Sequence, residues 1–99
     1  MTPTKPKTPA TPVTPVGTIR YWAAAKAAAG TAQEPYRAAT LAEALEQIRA
    51  RHKDRPRLAR VLGYCSFLVD GCPVGGRDHA SVHLAHGATV EVLPPFAGG

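Results

Sequence analysis

The residues with the clearest chemistry lie at the end of this 99-residue chain, which reads Leu93-Pro94-Pro95-Phe96-Ala97-Gly98-Gly99. Taken as the end of the polypeptide, Gly99 presents an α-carboxylate behind two residues that carry no side chain. Such an end can thread a channel too narrow for any Cβ, and it can take backbone angles closed to other residues. Pro94 and Pro95 each fix φ and remove an N–H, which favours an extended, polyproline-like rise. The tail is therefore expected to stand off the domain and not to zip into a sheet edge. A stiff stalk tipped by a bare carboxylate suits presentation to another protein's active site. The plain alternative is a frayed, glycine-rich terminus. The strand-like run Ala88-Thr89-Val90-Glu91-Val92-Leu93 directly before the tail favours the first reading.

Other reactive residue types are present without a recognisable pattern. His79, His83 and His86 form H-x-x-x-H-x-x-H, a spacing that could suit a metal. The segment contains no acidic or thiol partner, so surface histidines are expected and no metal is assigned. Cys65 and Cys72 do not form a C-x-x-C pair and read as reduced thiols. No nucleophile–base–orienter set is visible among Asp70, Asp78, Glu91 and the histidines, so the chain is read as a carrier and not as an enzyme. The formal net charge is +5, and Arg49, Arg51, Lys53, Arg55, Arg57 and Arg60 form a basic cluster diluted only by Asp54. The cluster has no interleaved aromatics for base stacking, so it reads as a solvated helical face, and no nucleic acid partner is expected.

The elements needed to position the tail are legible. Thr18 to Trp22 is β-branched and aromatic and predicts a first strand. Ala23 to Ala29 predicts a short helix stopped by Gly30. Gln33 to Arg37 is a weak strand that Pro35 would confine to a sheet edge or a strand end. Thr40-Leu41-Ala42-Glu43 matches a capping box, and Leu41, Leu45 and Ile48 then form one apolar face. Arg49 and Arg51 complement the macrodipole at the end of that helix. Pro56 suits the first position of a second, short helix through Val61 and Leu62. Tyr64 to Val69 predicts a strand, Asp70-Gly71 a hairpin turn and Cys72 to Val74 a short return strand. Gly75 to Ala85 reads as irregular loop, and Ala88 to Leu93 as the last strand. The helix needs a sheet on which to bury its apolar face. A last strand parallel to the first would place the tail at one end of that sheet. The expected class is α+β: a ubiquitin-like β-grasp with a mixed sheet of about four to five strands on one main helix.

Length and composition set the limits. Residues 1–16 hold five of the ten prolines with threonine and lysine and no apolar periodicity, so they read as a disordered leader. The leader lacks the apolar stretch of a signal peptide and has no arginine, unlike a transit peptide. No run approaches the ~18 to 20 apolar residues of a membrane span. A cytoplasmic protein with no membrane partner is expected. Its expected organisation is the leader at 1–16, one small domain at 17–93 and the extended tail at 94–99.

Several stretches together are similar to the β-grasp sulfur carriers of the MoaD/ThiS type. They are Ile19 to Lys26 followed by Gly30, the capped helix from Thr40, the Phe67-Leu68-Val69-Asp70-Gly71 hairpin and the Pro94-to-Gly99 end. The double proline most resembles the small subunit of molybdopterin synthase. The resemblance implies a mechanism. A ubiquitin-activating-type adenylyltransferase and sulfurtransferase would use ATP to turn the Gly99 carboxylate into an acyl-adenylate. Persulfide-derived sulfur would then displace AMP and leave a thiocarboxylate. That group would donate sulfur within a second protein, the molybdopterin synthase large subunit, in molybdenum cofactor biosynthesis. The chain itself would bind no cofactor.

The resemblance also makes Trp22 an aromatic near the partner surface, although a core tryptophan fits its type equally. It makes Phe96 a hydrophobic anchor in the partner's groove, with Ala97 and Gly98 leading to Gly99. Lys26 matches a basic family position and also fits a solvated helix charge. The segment His86-Gly87-Ala88-Thr89 lacks the acidic residue usual in the family next to this glycine. Other destinations stay open: a carrier for thiamin thiazole, cysteine or specialised-metabolite synthesis, a ubiquitin-like protein modifier, or a noncovalent binding module.

Overall fold

The computed structural model describes residues 14–95. The chain runs β1 (Val16–Tyr21), α1 (Ala23–Ala29), β2 (Gln33–Arg37), α2 (Leu41–Arg51), α3 (Pro56–Leu62), β3 (Ser66–Val69), β4 (Cys72–Pro73), a 3-10 helix (His79–Ser81) and β5 (Thr89–Leu93). The five strands form one mixed sheet in the order β2-β1-β5-β3-β4. β1 and β5 run parallel, with Thr18 opposite Thr89 and Tyr21 opposite Val92. The other neighbouring pairs are antiparallel. This is the β-grasp expected from the sequence, with the first and last strands at its centre.

The main helix forms for the reasons read from its sequence. The Thr40 hydroxyl accepts a hydrogen bond from the Glu43 amide at 3.2 Å. The Glu43 carboxylate reaches back one residue further than expected, to the Ala39 amide at 3.0 Å. Leu41, Ala44, Leu45 and Ile48 form its buried face, and each large side chain so buried contributes about 1.5 to 3 kcal/mol. Pro56 stands at the start of α3, where its missing N–H is harmless. α1 ends at Gly30, whose φ of 77° supplies the left-handed stop. Asp70 and Gly71, at φ 49° and 83°, make the β3–β4 turn.

Four expectations shift. β1 begins at Val16, one residue inside the stretch read as leader; residues 1–13 lie outside the described residues. Trp22 is the N-cap of α1 and not a strand residue. The stretch 75–85 is more than irregular surface. Asp78 caps the 3-10 helix, Val82 and Leu84 are buried, and their backbones pin the start of α2 through Leu41 and Ala39. Pro94 is buried and Pro95 exposed, so packing reaches one residue into the stretch read as tail.

Opposite the tail, β1 and β5 are locked together. The buried Tyr36 hydroxyl donates to the Ala88 carbonyl at 2.9 Å. A Cβ on Gly17 would strike both of those groups, so only glycine fits there. The sheet edges are closed as well. Tyr21 N donates to Ala32 O and Ala38 N to Pro15 O, so even-numbered β2 residues bond toward β1 and odd-numbered ones face outward. Of those, Pro35 has no N–H, and its carbonyl accepts from Arg51 Nη1 at 2.7 Å. Arg37 donates its amide to Gln47 Oε1 at 2.8 Å and accepts from Gln47 Nε2 at 3.1 Å. At the other edge, Arg77 donates to the carbonyls of Pro73 and Val74 at 3.2 and 3.1 Å.

Candidate functional site

The parallel pairing of β1 and β5 decides where the tail emerges. Both strands end at the same side of the sheet, so Leu93 and Pro94 leave beside the β1–α1 corner. Trp22 occupies that corner, and its amide donates to the Val92 carbonyl at 3.2 Å. On the other flank Ser66, at the start of β3, pairs with Leu93. The end of β5 is thus framed by Trp22 and by the segment entering β3.

Trp22 is 40 % exposed, which rules out the core reading. Its indole Nε1 donates to Glu91 Oε1 at 3.0 Å. The Arg20 guanidinium lies 5.0 Å from the ring centroid. Arg20 and Glu91 are register partners on β1 and β5. Sequence reading named Glu91 only among acids without a recognisable pattern and gave Arg20 no role, because the contact depends on a pairing between strands 71 residues apart. Of the predicted site residues, the structure brings Trp22, Pro94 and Pro95 to one end of the sheet; Phe96, Ala97, Gly98 and Gly99 lie outside the described residues. Lys26 is exposed on α1.

No other constellation among the described residues offers a reaction centre. No group of three or more His, Cys, Asp or Glu side chains could hold a metal. His79 packs edge-on against Phe67 at 5.2 Å, and His86 Nδ1 accepts from the Val16 amide at 3.3 Å. Cys65 and Cys72 are free thiols. Burial pushes the Cys65 thiol up to about 11, which keeps it protonated and a poor nucleophile at neutral pH. Five cations of the basic cluster are exposed with no acidic partner among the described residues, whereas Arg51 bonds Glu34 at 2.8 Å. No helix is long and apolar enough to cross a membrane among the described residues.

One polar cluster was not legible in the sequence. Glu34 accepts from the Tyr21 hydroxyl at 2.5 Å, from Arg51, and pairs with His52 Nε2 at 2.7 Å. Its side chain is only 10 % exposed. Burial raises the Glu34 carboxyl, but hydrogen bonds from Tyr21, Arg51 and His52 outweigh that and hold it below its ordinary value. Burial, reinforced by Glu34, drives the Tyr21 hydroxyl far upward. Every member is committed to another, so the cluster ties the end of α2 to β1 and β2 and is structural.

The comparisons agree with this geometry. Residues 19–99 match the ThiS family model. The small archaeal modifier protein 1 of Methanosarcina acetivorans is similar at 19% identity, covering 87% of this chain and 98% of that one with a TM-score of 0.72. The Haloferax volcanii HVO 2177 protein is 26% identical over 94% of each chain, with a TM-score of 0.70. A chain in the complex of subunits 1 and 2 of molybdopterin-converting factor from Helicobacter pylori is 23% identical, covering 85% of this chain and 99% of that one with a TM-score of 0.59. No curated protein matches. Both the molybdopterin-converting factor chain and the archaeal modifier protein share the ubiquitin-like fold seen here. With a match over residues 19–99, most of its length, the chain belongs to the ThiS family and is a ubiquitin-like protein of the MoaD/ThiS type.

Proposed function

We propose that this chain is a sulfur carrier and that Gly99 is its working residue. The observation that carries the reading is the parallel β1–β5 pair, which brings Leu93 and Pro94, the root of the Pro-Pro-Phe-Ala-Gly-Gly sequence, to one side of the sheet. A carboxylate is a poor electrophile. Attack of the Gly99 carboxylate on the α-phosphorus of ATP, on an activating enzyme, expels pyrophosphate and forms an acyl-adenylate. A persulfide on that enzyme then attacks the carbonyl carbon and expels AMP. Cleavage of the resulting acyl disulfide by a second thiol leaves the thiocarboxylate on Gly99 and a disulfide on the enzyme. The thiocarboxylate is a soft nucleophile that delivers sulfur to an acceptor bound elsewhere.

In this reading the catalytic groups belong to the partners and the chain is a non-catalytic cytoplasmic subunit. ATP is used by the activating enzyme. The acceptor we favour is the large subunit of a molybdopterin synthase, supported by the double proline and by the likeness to the Helicobacter pylori complex. Phe96 serves there as an apolar anchor behind the threaded glycines. A second reading, a modifier that ends as an isopeptide on a lysine, is favoured by the likeness to archaeal modifier proteins. Both begin with the same adenylation.

The test is pyrophosphate exchange. The host's activating enzyme should exchange labelled pyrophosphate into ATP when the full chain is added, and not when the chain lacks Gly99. Absence of exchange with the full chain and active enzyme contradicts both readings. Exchange followed by covalent conjugates to other proteins selects the modifier.

A further inference from the structure

The basic cluster that the sequence presents as a solvated helical face lies at the same end of the fold as the tail root. Ser66, which follows α3, pairs with Leu93. α3 packs on α1, and the guanidinium carbon of Arg55 lies 3.0 Å from where a Cβ on Gly30 would stand. Two residues after Gly30, the Ala32 carbonyl accepts from the Tyr21 amide at the end of β1. The end of α2 reaches the same region, because Arg51 and His52 hold Glu34 near the start of β2, beside Gln33, which pairs with Arg20. The exposed cations Lys26, Arg49, Lys53, Arg55, Arg57 and Arg60 therefore gather around the side of the sheet from which Leu93 and Pro94 leave.

Acids do not balance them there. Glu34 is committed to Tyr21, Arg51 and His52, and Glu91 to the Trp22 N–H, so Asp54 alone dilutes the cluster. Glu43 accepts from the Ala39 amide and Asp70 from the Thr89 amide, both at the opposite end of the sheet. We propose that the cations form a collar that steers the tail into enzymes whose tail channel is rimmed by acidic residues.

The collar rests on the carrier reading for the nature of its partner. The fold itself does not account for these cations. Arg49 and Arg51 complement the macrodipole of α2, but Arg55 and Arg57 stand at the start of α3, where a cation opposes the dipole. Arg57 and Arg60 are three apart on that helix, a like-charge spacing that destabilises it. Six residues separate Leu93 from Gly99, which extended reach at most about 20 Å. An enzyme that closes on Gly99 therefore brings the mouth of its channel close to α3 and to the end of α2. A molecule with its cations at one end takes a preferred orientation in the field of an acidic surface, so encounters occur tail first. A nucleic acid matches the charge but offers no site for the tail that the collar surrounds.

The probe is the host's purified activating enzyme, because the carrier and modifier readings both begin with adenylation. Stopped-flow association of the full chain is followed from about 50 to about 300 mM NaCl, a range over which screening sets in. The wild-type association rate should fall about tenfold or more across that range, with a smaller change in dissociation. R57Q/R60Q and R37E remove the same net charge, the first from the collar and the second from the opposite end, where Arg37 pairs with Val16. At the lowest salt R57Q/R60Q should slow association about fivefold, and R37E less than about twofold. A wild-type rate independent of salt, in a chain that supports pyrophosphate exchange, overturns the collar and leaves the carrier reading standing. Equal rates in R57Q/R60Q and R37E also overturn it, because position would then not matter. A short RNA duplex that binds at about 150 mM NaCl, and is lost in R57Q/R60Q, assigns the cations to nucleic acid and overturns the collar. A wild-type chain that neither binds the enzyme nor supports exchange overturns the carrier reading, and the collar with it.

Discussion

The two edges of the sheet and the end of its central strand are finished in opposite ways. At each edge a proline removes an N–H, and an arginine takes the proline's carbonyl: Pro35 with Arg51, and Pro73 with Arg77. At the β2 edge Gln47 also satisfies both backbone groups of Arg37. Edges treated this way resist pairing with another strand. The end of β5 instead displays an exposed tryptophan beside the departing chain. The molecule is thus closed to partners that would add a strand and open at one end. That combination suits the carrier proposed above, which would meet its partners through one tail.

The contrast can be broken at the end opposite the tail, where the largest effect is expected. Gly17→Ala forces a methyl group into the Ala88 carbonyl and the Tyr36 hydroxyl. Overpacking together with a lost buried hydrogen bond should remove about 3 kcal/mol in denaturant unfolding. Near-wild-type stability would mean that this end is not closed.

The cluster that ties the β2 edge to α2 should show in the pH dependence. The Glu34 carboxyl is held below its ordinary value of 4.5 in the folded state. Its contribution is therefore present above that pH and is lost as pH falls through the lower folded value. Glu34→Gln should lower stability at neutral pH by about 2 kcal/mol and flatten the acid limb of the stability curve. An acid limb identical to wild type would assign the loss to other carboxylates.

A smaller effect sharpens the edge argument. Gln47→Ala frees the amide and carbonyl of Arg37 and should lower stability by about 1 kcal/mol. Its more telling consequence is self-association at high concentration in sedimentation velocity, under conditions where wild type stays monomeric. A Gln47→Ala chain as monomeric as wild type would show that Pro35 and Arg51 suffice.

What the sequence disclosed depended on the range of the interaction. The capping box at Thr40, the apolar face of α2, the Gly30 stop and the Asp70-Gly71 turn are local, and each stands where its residues placed it. Pro35 on an edge strand followed from one missing donor. That the main helix needed a sheet followed from its apolar face, while the parallel run of β5 along β1 was open in the sequence as one arrangement and is the one observed. Contacts between distant segments were not legible. Glu34 meets Tyr21, Arg51 and His52 only after β1, β2 and α2 are assembled. Arg51 read as a macrodipole complement, and its pairing with Glu34 carries no local signal. The same holds for Arg20 and Glu91 around Trp22, which require the parallel register. Burial of Pro94 was missed because its stiffness was read without its neighbours.

The central claim is that Gly99 is converted to a thiocarboxylate, and intact mass spectrometry tests it most directly. The purified full chain is incubated with ATP, a persulfide donor and the host's activating enzyme. The account predicts a gain equal to the mass difference between sulfur and oxygen, located at Gly99 and absent in the chain lacking that residue. An unchanged mass, with the same enzyme shown to load another carrier in parallel, would contradict it.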